Sequence, residues 1–345
     1  MSALPPSTLS PSARVAPSEP SRGTPAGGTP SVGTPSVGTS SVGSPSVHAS
    51  SVLAHPYVLL TITCLSWAGN TIAGRLAAGG VSPMVLTTLR WLGAVLILAA
   101  LAGPHLRRDW PAIRAGWRSL ALLGALGFAL FNFFLYNALA RTTAMNVVLI
   151  QAAIPAVVFG FSFALFGQRI AWLQAVGFLV SLAGVGLVVA GSGGGALAVG
   201  AGEWLILAGV VAYALYTACL RVKPDVHWMS ALAVMAAAAL ATSLPLLGWE
   251  VARGAANWPS SGGEWALVAY AAVFPALVAQ SCYMRAVDRI GANRAGMFVN
   301  LLPATGAVLA ALVLGEAFGW REALALALGL GGIALAERGA PREAA

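Results

Sequence analysis

Apolar residues form long uninterrupted runs along most of this chain, from Tyr57 to Ala336. Each run is close to the roughly 20 residues that an α-helix needs to cross the hydrocarbon core of a bilayer. The short alternating segments that are typical of membrane β-barrels do not occur. The pattern predicts an all-α polytopic membrane protein with ten transmembrane helices. The predicted spans are 57–78, 82–103, 116–138, 142–166, 170–190, 203–222, 228–249, 264–286, 292–315 and 320–336.

Composition agrees with this pattern, because 58% of the residues are hydrophobic and only 9% are charged. Soluble domains carry about 25% charged residues, so the predicted partner of the outer surface is the lipid bilayer. The net charge of +8 could indicate nucleic-acid binding. The arginines, however, lie in short linkers between apolar runs, so we expect no nucleic-acid partner.

The distribution of basic residues between alternate linkers predicts the orientation of the chain. The richer set is Arg107, Arg108, Arg114, Arg118, Arg169, Arg221, Lys223, Arg285, Arg289, Arg338 and Arg342. The other set holds mainly Arg75, Arg141, Arg253 and Arg321. Because basic linkers remain in the cytoplasm, we expect an integral protein of a bacterial-type plasma membrane with both termini cytoplasmic.

Two polar segments differ from the spans. Residues 1–52 carry the Ser/Pro/Gly-rich repeat "GTPSVGTPSVGTSSVGSPSV" and are predicted to be a disordered tail; a tail that binds a partner is the alternative. The stretch "GSGGGALAVGAGE" after the fifth span has no preceding strand and no following lysine. It therefore indicates a flexible hinge rather than a phosphate-binding loop. Residues 338–345 are predicted to be a second, short cytoplasmic tail.

The two halves of the chain share an internal repeat. Pro155 and Pro303 are 148 residues apart. The same spacing relates Ala138 to Ala286, Ala144 to Ala292, Gly167 to Gly315, Trp172 to Trp320 and Gly184 to Gly332. We interpret residues 53–190 and 203–337 as duplicated five-helix repeats, against the alternative of chance similarity between Ala/Gly/Leu-rich helices. Because five is odd, the second repeat is predicted to be inverted in the membrane.

Four stretches stand out as motifs: "SWAGNTIAGR" (66–75), "SPMVLTTLRW" (82–91), "YNALARTTAMNVVLIQAAIPAVVFGFSFALFGQ" (136–168) and "RAVDRIGANRAGMFVNLLPATGAVLAALVLGE" (285–316). In this order and spacing they resemble the EamA-type transporters of the drug/metabolite transporter superfamily. The resemblance implies ten helices, a central cavity between two EamA repeats, and export or exchange of small metabolites such as amino acids. Two positions depart from the family pattern: Gln168 stands where Glu is common, and Arg75 where Lys is common.

Polar and aromatic residues inside the spans are candidates for a substrate-binding cavity, because such groups usually face protein or water. Trp67 and Asn70 share one face of the first helix at i, i+3 spacing. Tyr213 and Tyr216 repeat that spacing in the second half. An interfacial tryptophan and an asparagine that bonds a neighbouring helix are the structural alternative.

Arg90 is predicted to lie near the middle of the second span, where an unpaired charge costs several kcal/mol, on the order of 3 or more. Its planar guanidinium can hold a substrate carboxylate. Bonding to carbonyl oxygens to fix helix packing is the alternative, and the sequence leaves both open.

Further polar candidates lie in the third and eighth spans. Asn132 and Tyr136 are four residues apart and share a helix face. Gln280 and Tyr283 occupy the eighth span, with Gln280 at the position equivalent to Asn132.

Two prolines follow polar residues in equivalent spans: Gln151 precedes Pro155, and Asn300 precedes Pro303. A proline inside a helix removes a backbone donor and kinks the helix. We expect both kinks to mark the cavity side, and a purely structural kink is the alternative.

These features together predict a secondary transporter that works by alternating access. Its partners would be a small-molecule substrate and the bilayer, with a homodimer left open. We expect no cofactor, no metal and no enzymatic activity, because the acids are dispersed and the histidines form no motif. A sugar-phosphate or nucleotide-sugar carrier is the alternative, and a membrane-embedded enzyme is a remoter one. No acid is predicted deep in a span, which favours facilitated diffusion or exchange over strong proton coupling.

Overall fold

The computed structural model of the chain describes residues 55–167, 171–191, 200–290, 295, 298 and 300–339. Every regular element within these ranges is helical, which confirms the predicted all-α fold. The N-terminal tail, the hinge residues 192–199, Gln168 and Arg169 lie outside these ranges, so what the sequence predicts for them remains a prediction.

The helical segments of the described chain are labelled here in chain order. They are α1 (Pro56–Ala77), α2 (Pro83–Leu101), α3 (Gly103–Leu139), α4 (Ala144–Phe166), α5 (Trp172–Gly191), α6 (Ala201–Val222), α7 (Trp228–Ala252), α8 (Gly262–Val287), α9 (Leu302–Leu314) and α10 (Trp320–Arg338). We call α1–α5 the first half and α6–α10 the second half.

Seven of these helices, α2 to α8, are long and apolar enough to cross a membrane. Helix α9 is apolar but has only 13 residues in the described chain, and α1 and α10 are long but more polar. A polytopic helical membrane protein is therefore confirmed, whereas the full set of ten crossings remains a prediction.

Helix α3 consists of two helices joined at a kink. Gly116, at φ −108° and ψ 16°, is not helical and separates a helix that begins at Gly103 from one that ends at Leu139. The second of these coincides with the predicted span 116–138. The first carries Arg107, Arg108 and Arg114, and a criterion based on continuous apolar runs does not detect such a polar helical segment.

Helix ends follow the local sequence. Pro56 and Pro83 stand at the first position of α1 and α2, where the missing N–H would have no partner in any case. Gly167 and Gly315 follow α4 and α9 with the same left-handed φ of 65°, a conformation that favours glycine. These two glycines are related by the repeat spacing, so equivalent helices end in the same way.

Helices α5 and α10 make the most extensive contact between helices in the described chain. A Cβ atom at Gly177 would overlap the backbone of Gly332, and a Cβ at Gly332 would overlap that of Gly177. A Cβ at Gly184 would lie 2.7 Å from the carbonyl oxygen of Ala325. At the repeat spacing of 148 residues, position 177 is equivalent to 325 and position 332 is equivalent to 184. The contact between Gly177 and Gly332 is therefore equivalent to the contact between Ala325 and Gly184. We call the contact between α5 and α10 the seam; it is self-complementary, as in a contact with two-fold symmetry.

Large apolar side chains cover the exterior as well as the interior. Leu179 on α5 is 67% exposed and Leu312 on α9 is 78% exposed. Extended apolar surface of this kind is rare on soluble monomers. It is the surface that hydrocarbon chains would cover.

Contacts between helix ends fall into two groups. The first joins Arg75 with Leu139, Ser82 with Glu250, Thr142 with Glu203, Ala144 with Glu316, and Gly191 with Arg321. The second joins Asp109 with His227, Phe166 with Arg221, and Gln174 with Gly339. Consecutive helices thus run alternately between two faces of the molecule.

Candidate functional site

A central cavity of about 140 Å³ lies between the two halves and is lined by residues of both. Its walls come from α1 to α4 in the first half and from α6, α8, α9 and α10 in the second half. Most of the lining is apolar, as is usual for small-molecule sites. The polar groups are few, so their positions determine what the cavity can bind.

Arg90 lies in the wall of this cavity and is only 5% exposed. Its Nη1 donates to Oδ1 of Asn70 at 2.9 Å and to Oδ1 of Asn132 at 2.8 Å. It also lies 2.9 Å from the hydroxyl oxygen of Tyr136, which itself donates to Asn70 Oδ1 at 2.8 Å. Helices α1, α2 and α3 are therefore joined by one hydrogen-bond network around a buried cation.

The hydrogen-bond partners of Arg90 are all neutral oxygens, and its guanidinium carbon also lies over the ring of Trp91, 4.9 Å from the ring centroid. The ion pair within the described chain joins Arg75 and Glu316 at 4.0 Å, at the ends of α1 and α9. The positive charge of Arg90 therefore lies in the cavity wall with no carboxylate beside it. Removing a charge from water without an opposite charge is costly, and hydrogen bonds to three oxygens offset only part of that cost.

Three buried nitrogens on lining residues have no hydrogen-bond partner in the part of the chain that the structure describes. They are Nε of Arg90, Nε1 of Trp91 and Nε2 of Gln151. Each is an N–H donor. Buried donors in folded proteins almost always find an acceptor, so a ligand that supplies acceptors would satisfy these three once their side chains turn toward it.

Aromatic side chains form much of the remaining wall. Trp67 donates its Nε1–H to the carbonyl oxygen of Pro275 at 3.2 Å, which joins α1 to α8. Trp91 stacks on Phe128 with ring centroids 4.7 Å apart. Tyr213 of the second half lies at the cavity as well. These rings provide flat apolar surfaces around the polar groups.

The backbone is irregular where it borders the cavity. Residues Gly124–Leu130 in α3 and Phe274–Val278 in α8 form π-helical turns, and both segments contribute to the lining. At the repeat spacing of 148 residues, residues 126–130 are equivalent to residues 274–278. Single π turns often occur at functional sites, and here they occur as an equivalent pair.

Helix α4 is interrupted just before its proline. The first part of α4 ends at Gln151, and the second part begins at Ile154, so that Pro155 stands in its first turn. Pro303 likewise stands in the first turn of α9. A proline in the first turn of a helix needs no N–H partner, and a kink at either proline remains a prediction. Ser181 Oγ donates to the carbonyl oxygen of Ala152 at 3.1 Å, inside the interruption of α4.

The structure places most of the residues that the sequence predicts for the cavity in its wall. They are Trp67, Asn70, Arg90, Asn132, Gln151, Pro155, Tyr213, Gln280, Asn300 and Pro303.

Three predicted tyrosines do not line the central cavity. Tyr136 lies behind Arg90, Tyr216 packs on Phe128 with centroids 5.8 Å apart, and Tyr283 packs on Trp67 at 5.6 Å. Their helix faces were predicted from spacing alone. Spacing cannot distinguish a residue at the cavity from one directly behind it.

Trp91, Pro275 and Phe128 are lining residues that the sequence analysis did not select. A signal existed for Pro275, since it is a proline within an apolar span and occurs near the middle of α8. For the two aromatic residues no signal distinguished them from other core residues.

Asn300 connects the cavity to a carboxylate. Its Nδ2 donates to Oε1 of Glu337 near the end of α10 at 2.6 Å. Glu337 itself is not in the cavity wall, and none of the described lining residues is an aspartate or a glutamate.

A side cavity lies beyond Tyr136, where Ser82, Asn137, Arg141 and Glu250 line it with other residues. Tyr136 lines this side cavity and bonds to Arg90 and Asn70, which line the central one. The ring of Tyr136 therefore separates the two spaces.

The sequence profile of the EamA-like transporter family matches this chain twice, over residues 55–190 and 200–337. The chain belongs to the EamA-like transporter family. This confirms the resemblance seen in the sequence, and the family assignment points away from an enzyme.

A relative and a solved structure add to the assignment. This EamA-like transporter is 24% identical over 284 residues to the "Uncharacterized transporter YetK" of Bacillus subtilis (strain 168), over 80% of this chain and 85% of that protein. A crystal structure matches 81% of this chain and 96% of its own chain with a TM-score of 0.58 at 24% identity. At that identity the likeness concerns the fold alone.

Proposed function

We propose that this EamA-like transporter is a secondary transporter of small polar metabolites, amino acids among the candidates, and that the substrate binds in the central cavity. The observation that carries the proposal is Arg90. A buried cation with only neutral partners, in a cavity lined by both halves, is costly to keep unless it has a function. Family membership supports transport, and the cavity supplies the binding site.

We further propose that the chain crosses the membrane ten times as two inverted five-helix repeats, with alternating access to the cavity. Three observations support this arrangement. The family profile matches twice, the α5–α10 seam is self-complementary, and helix ends alternate between two faces. An odd number of crossings in each repeat then requires the second repeat to be inverted.

Efflux from proteoliposomes tests transport and identifies the substrate in one experiment. The full chain is reconstituted, the vesicles are loaded with a small-molecule fraction of a cell extract, and the metabolites that leave are identified by mass spectrometry. We expect one or more small polar metabolites to leave faster than from protein-free vesicles. The Arg90→Ala variant should abolish that difference, while Arg118→Gln, at an exposed arginine of α3, should preserve it. Identical profiles with and without protein would contradict the proposal.

The same vesicles test energy coupling. Because no carboxylate lines the central cavity among the described residues, we propose facilitated diffusion or exchange rather than proton-driven transport; the efflux assay is therefore run both without and with the same metabolites outside the vesicles. The rate of substrate movement should therefore be insensitive to an imposed pH gradient. A rate that follows the size and direction of the gradient would overturn this part of the proposal.

A further inference from the structure

We infer that the substrate is an organic monocarboxylate whose carboxylate group binds between Arg90 and Gln151, and that it carries no ammonium group. This inference rests on the proposed function and narrows it, since it separates carboxylates from amino acids.

Charge is the first reason. Arg90 is 5% exposed and bonds to the neutral groups of Asn70, Asn132 and Tyr136. An arginine remains charged in proteins, so the cavity wall has an uncompensated positive charge in an apolar bundle. An anionic ligand supplies the opposite charge, and the planar fork of a guanidinium matches a carboxylate.

Hydrogen-bond polarity is the second reason. The unpartnered buried nitrogens of the described lining belong to Arg90, Trp91 and Gln151, and all three are donors. Gln151 is 9% exposed, so water satisfies its amide poorly. A ligand that carries only acceptors, as a carboxylate does, satisfies such a set. A neutral alcohol or an ammonium would bring further donors.

The number of charges limits the anion. Arg90 is the lining cation among the described residues, whereas a phosphate monoester carries a charge of about −1.5 to −2 at neutral pH. One guanidinium balances one carboxylate. The wall also includes the apolar side chains of Leu135, Val148 and Ile333, which suit an apolar body on the ligand.

The lack of an acid is the reason to exclude an ammonium group. No aspartate or glutamate stands in the described wall, and Glu337 reaches the cavity only through its hydrogen bond with Asn300. Burying an ammonium without an opposite charge would add a cost that the carboxylate alone avoids. Glu337 is therefore the residue that a competing zwitterionic substrate would require.

Matched ligand series on the purified full chain test this inference. Each series contains a carboxylate, its amide and the amino acid with the same skeleton: hydrocinnamate, hydrocinnamide and phenylalanine; isocaproate, isocaproamide and leucine; propionate, propionamide and alanine. Apparent dissociation constants are measured by thermal-shift titration. We expect the carboxylate to bind at least about tenfold more tightly than both companions in one or more series, because truncating one partner of a buried charge pair has a large cost.

Variants assign the binding to the cavity. Arg90→Gln should weaken carboxylate binding by about thirtyfold or more, and Gln151→Leu by about tenfold, since it removes one hydrogen bond to a charged group. Gln151→Leu keeps the side-chain volume and leaves no new unpaired group, so it decides the question if Arg90→Gln does not fold. Arg118→Gln is the control and should bind as the unaltered chain does.

Two outcomes overturn the inference. In the first, no compound binds, or the carboxylate binds no more tightly than its amide. In the second, an amino acid binds at least as tightly as its carboxylate, whether or not Glu337→Gln weakens that binding. The second outcome would leave the proposed transport function intact, whereas metabolite efflux identical to protein-free vesicles would remove both.

Discussion

At the scale of single residues, Tyr136 shows how the cavity wall holds its charge. One hydroxyl group accepts from Arg90 and donates to Asn70. The ring packs against α1 where Gly74 has no side chain, since a Cβ there would lie 2.7 Å from the ring. Both the ring and the hydroxyl of Tyr136 are thus fixed in position, and the hydroxyl orients the guanidinium of Arg90 from the side that faces away from the cavity.

Replacing Tyr136 with phenylalanine should lower the free energy of unfolding by about 1–2 kcal/mol, because two buried hydrogen bonds lose their common partner. Thermal unfolding of the detergent-purified variant measures this. Tyr57→Phe is the matched control, because Tyr57 is 48% exposed and its change should stay within about 0.5 kcal/mol. Equal effects of the two substitutions would show that the hydroxyl of Tyr136 contributes nothing to stability.

The residues that could be predicted from the sequence were those whose chemistry is unusual inside a membrane helix. Asn70, Arg90 and Asn132 are polar groups in apolar runs, and each lies in the cavity wall. Trp91 and Phe128 were not predictable, because an aromatic residue in a membrane helix is equally suited to the core, the lipid surface and a binding site.

At the scale of helices, carboxylates connect the ends of elements that are distant in sequence. Glu316 follows α9, and its two oxygens accept from the backbone N–H groups of Ala144 and Met145 at 2.9 and 2.7 Å. These are the first N–H groups of α4, which have no partner within the helix. A negative charge at a helix N-terminus also interacts favourably with the helix dipole. The Gly-Glu pair therefore ends one helix and caps another.

Glu316→Gln should destabilise the protein by about 1–2 kcal/mol, because it removes the charge and one of two acceptors at the start of α4. Chemical or thermal unfolding monitored by circular dichroism measures the change. The control is Asp225→Asn, at an exposed acid for which we expect no measurable effect. A Glu316→Gln variant as stable as this control would contradict the capping role.

The seam between α5 and α10 allows a second test at this scale. A Cβ at Gly332 would overlap the backbone of Gly177, whereas a Cβ at the adjacent Gly331 would meet nothing within 4 Å. Gly332→Ala should therefore cost about 1–3 kcal/mol through overpacking. Gly331→Ala should be neutral or slightly stabilising, since alanine favours helix. The melting temperatures of the two variants test this prediction. An equal loss of stability in both would contradict the close approach of the backbones at Gly177 and Gly332.

The positions of the helices could be predicted from apolar runs and from the glycines that end them, whereas the irregular turns could not be predicted. Apart from Pro275, the π segments Gly124–Leu130 and Phe274–Val278 contain no residue that would require a π-helical turn in place of an α-helical one. Such turns result from packing around the cavity. Tertiary packing of this kind leaves no periodic signal in the sequence.

At the scale of the whole molecule, the two faces defined by helix-end contacts can be assigned to the two sides of the membrane. The charge distribution predicts that the face with Arg118 is cytoplasmic and the face with Arg253 is external. In a background without Cys64, Cys219 and Cys282, Arg253→Cys should react with a membrane-impermeant maleimide in intact cells. Arg118→Cys should react only after the membrane is opened. The reverse pattern would invert the predicted orientation.

The repeat was visible in the sequence because prolines, glycines and tryptophans keep their spacing even where the apolar residues between them differ. The asymmetry of the site was less visible. At the repeat spacing, Arg90 corresponds to the alanine run 236–239, so among the described lining residues the charge comes from the first half. A duplicated fold can carry a single charged site, and only the three-dimensional arrangement shows which side chains of the other half face it.

The glycine contact between α5 and α10 also limits how the two halves can move. No side chain stands between Gly177 and Gly332 that could change rotamer and let the backbones slide. Ile333 on α10 lies beside this line and also lines the cavity. For the proposed alternating access, we therefore expect the two halves to rotate about the line of contact rather than slide along it, so that the cavity walls farthest from this line move the most.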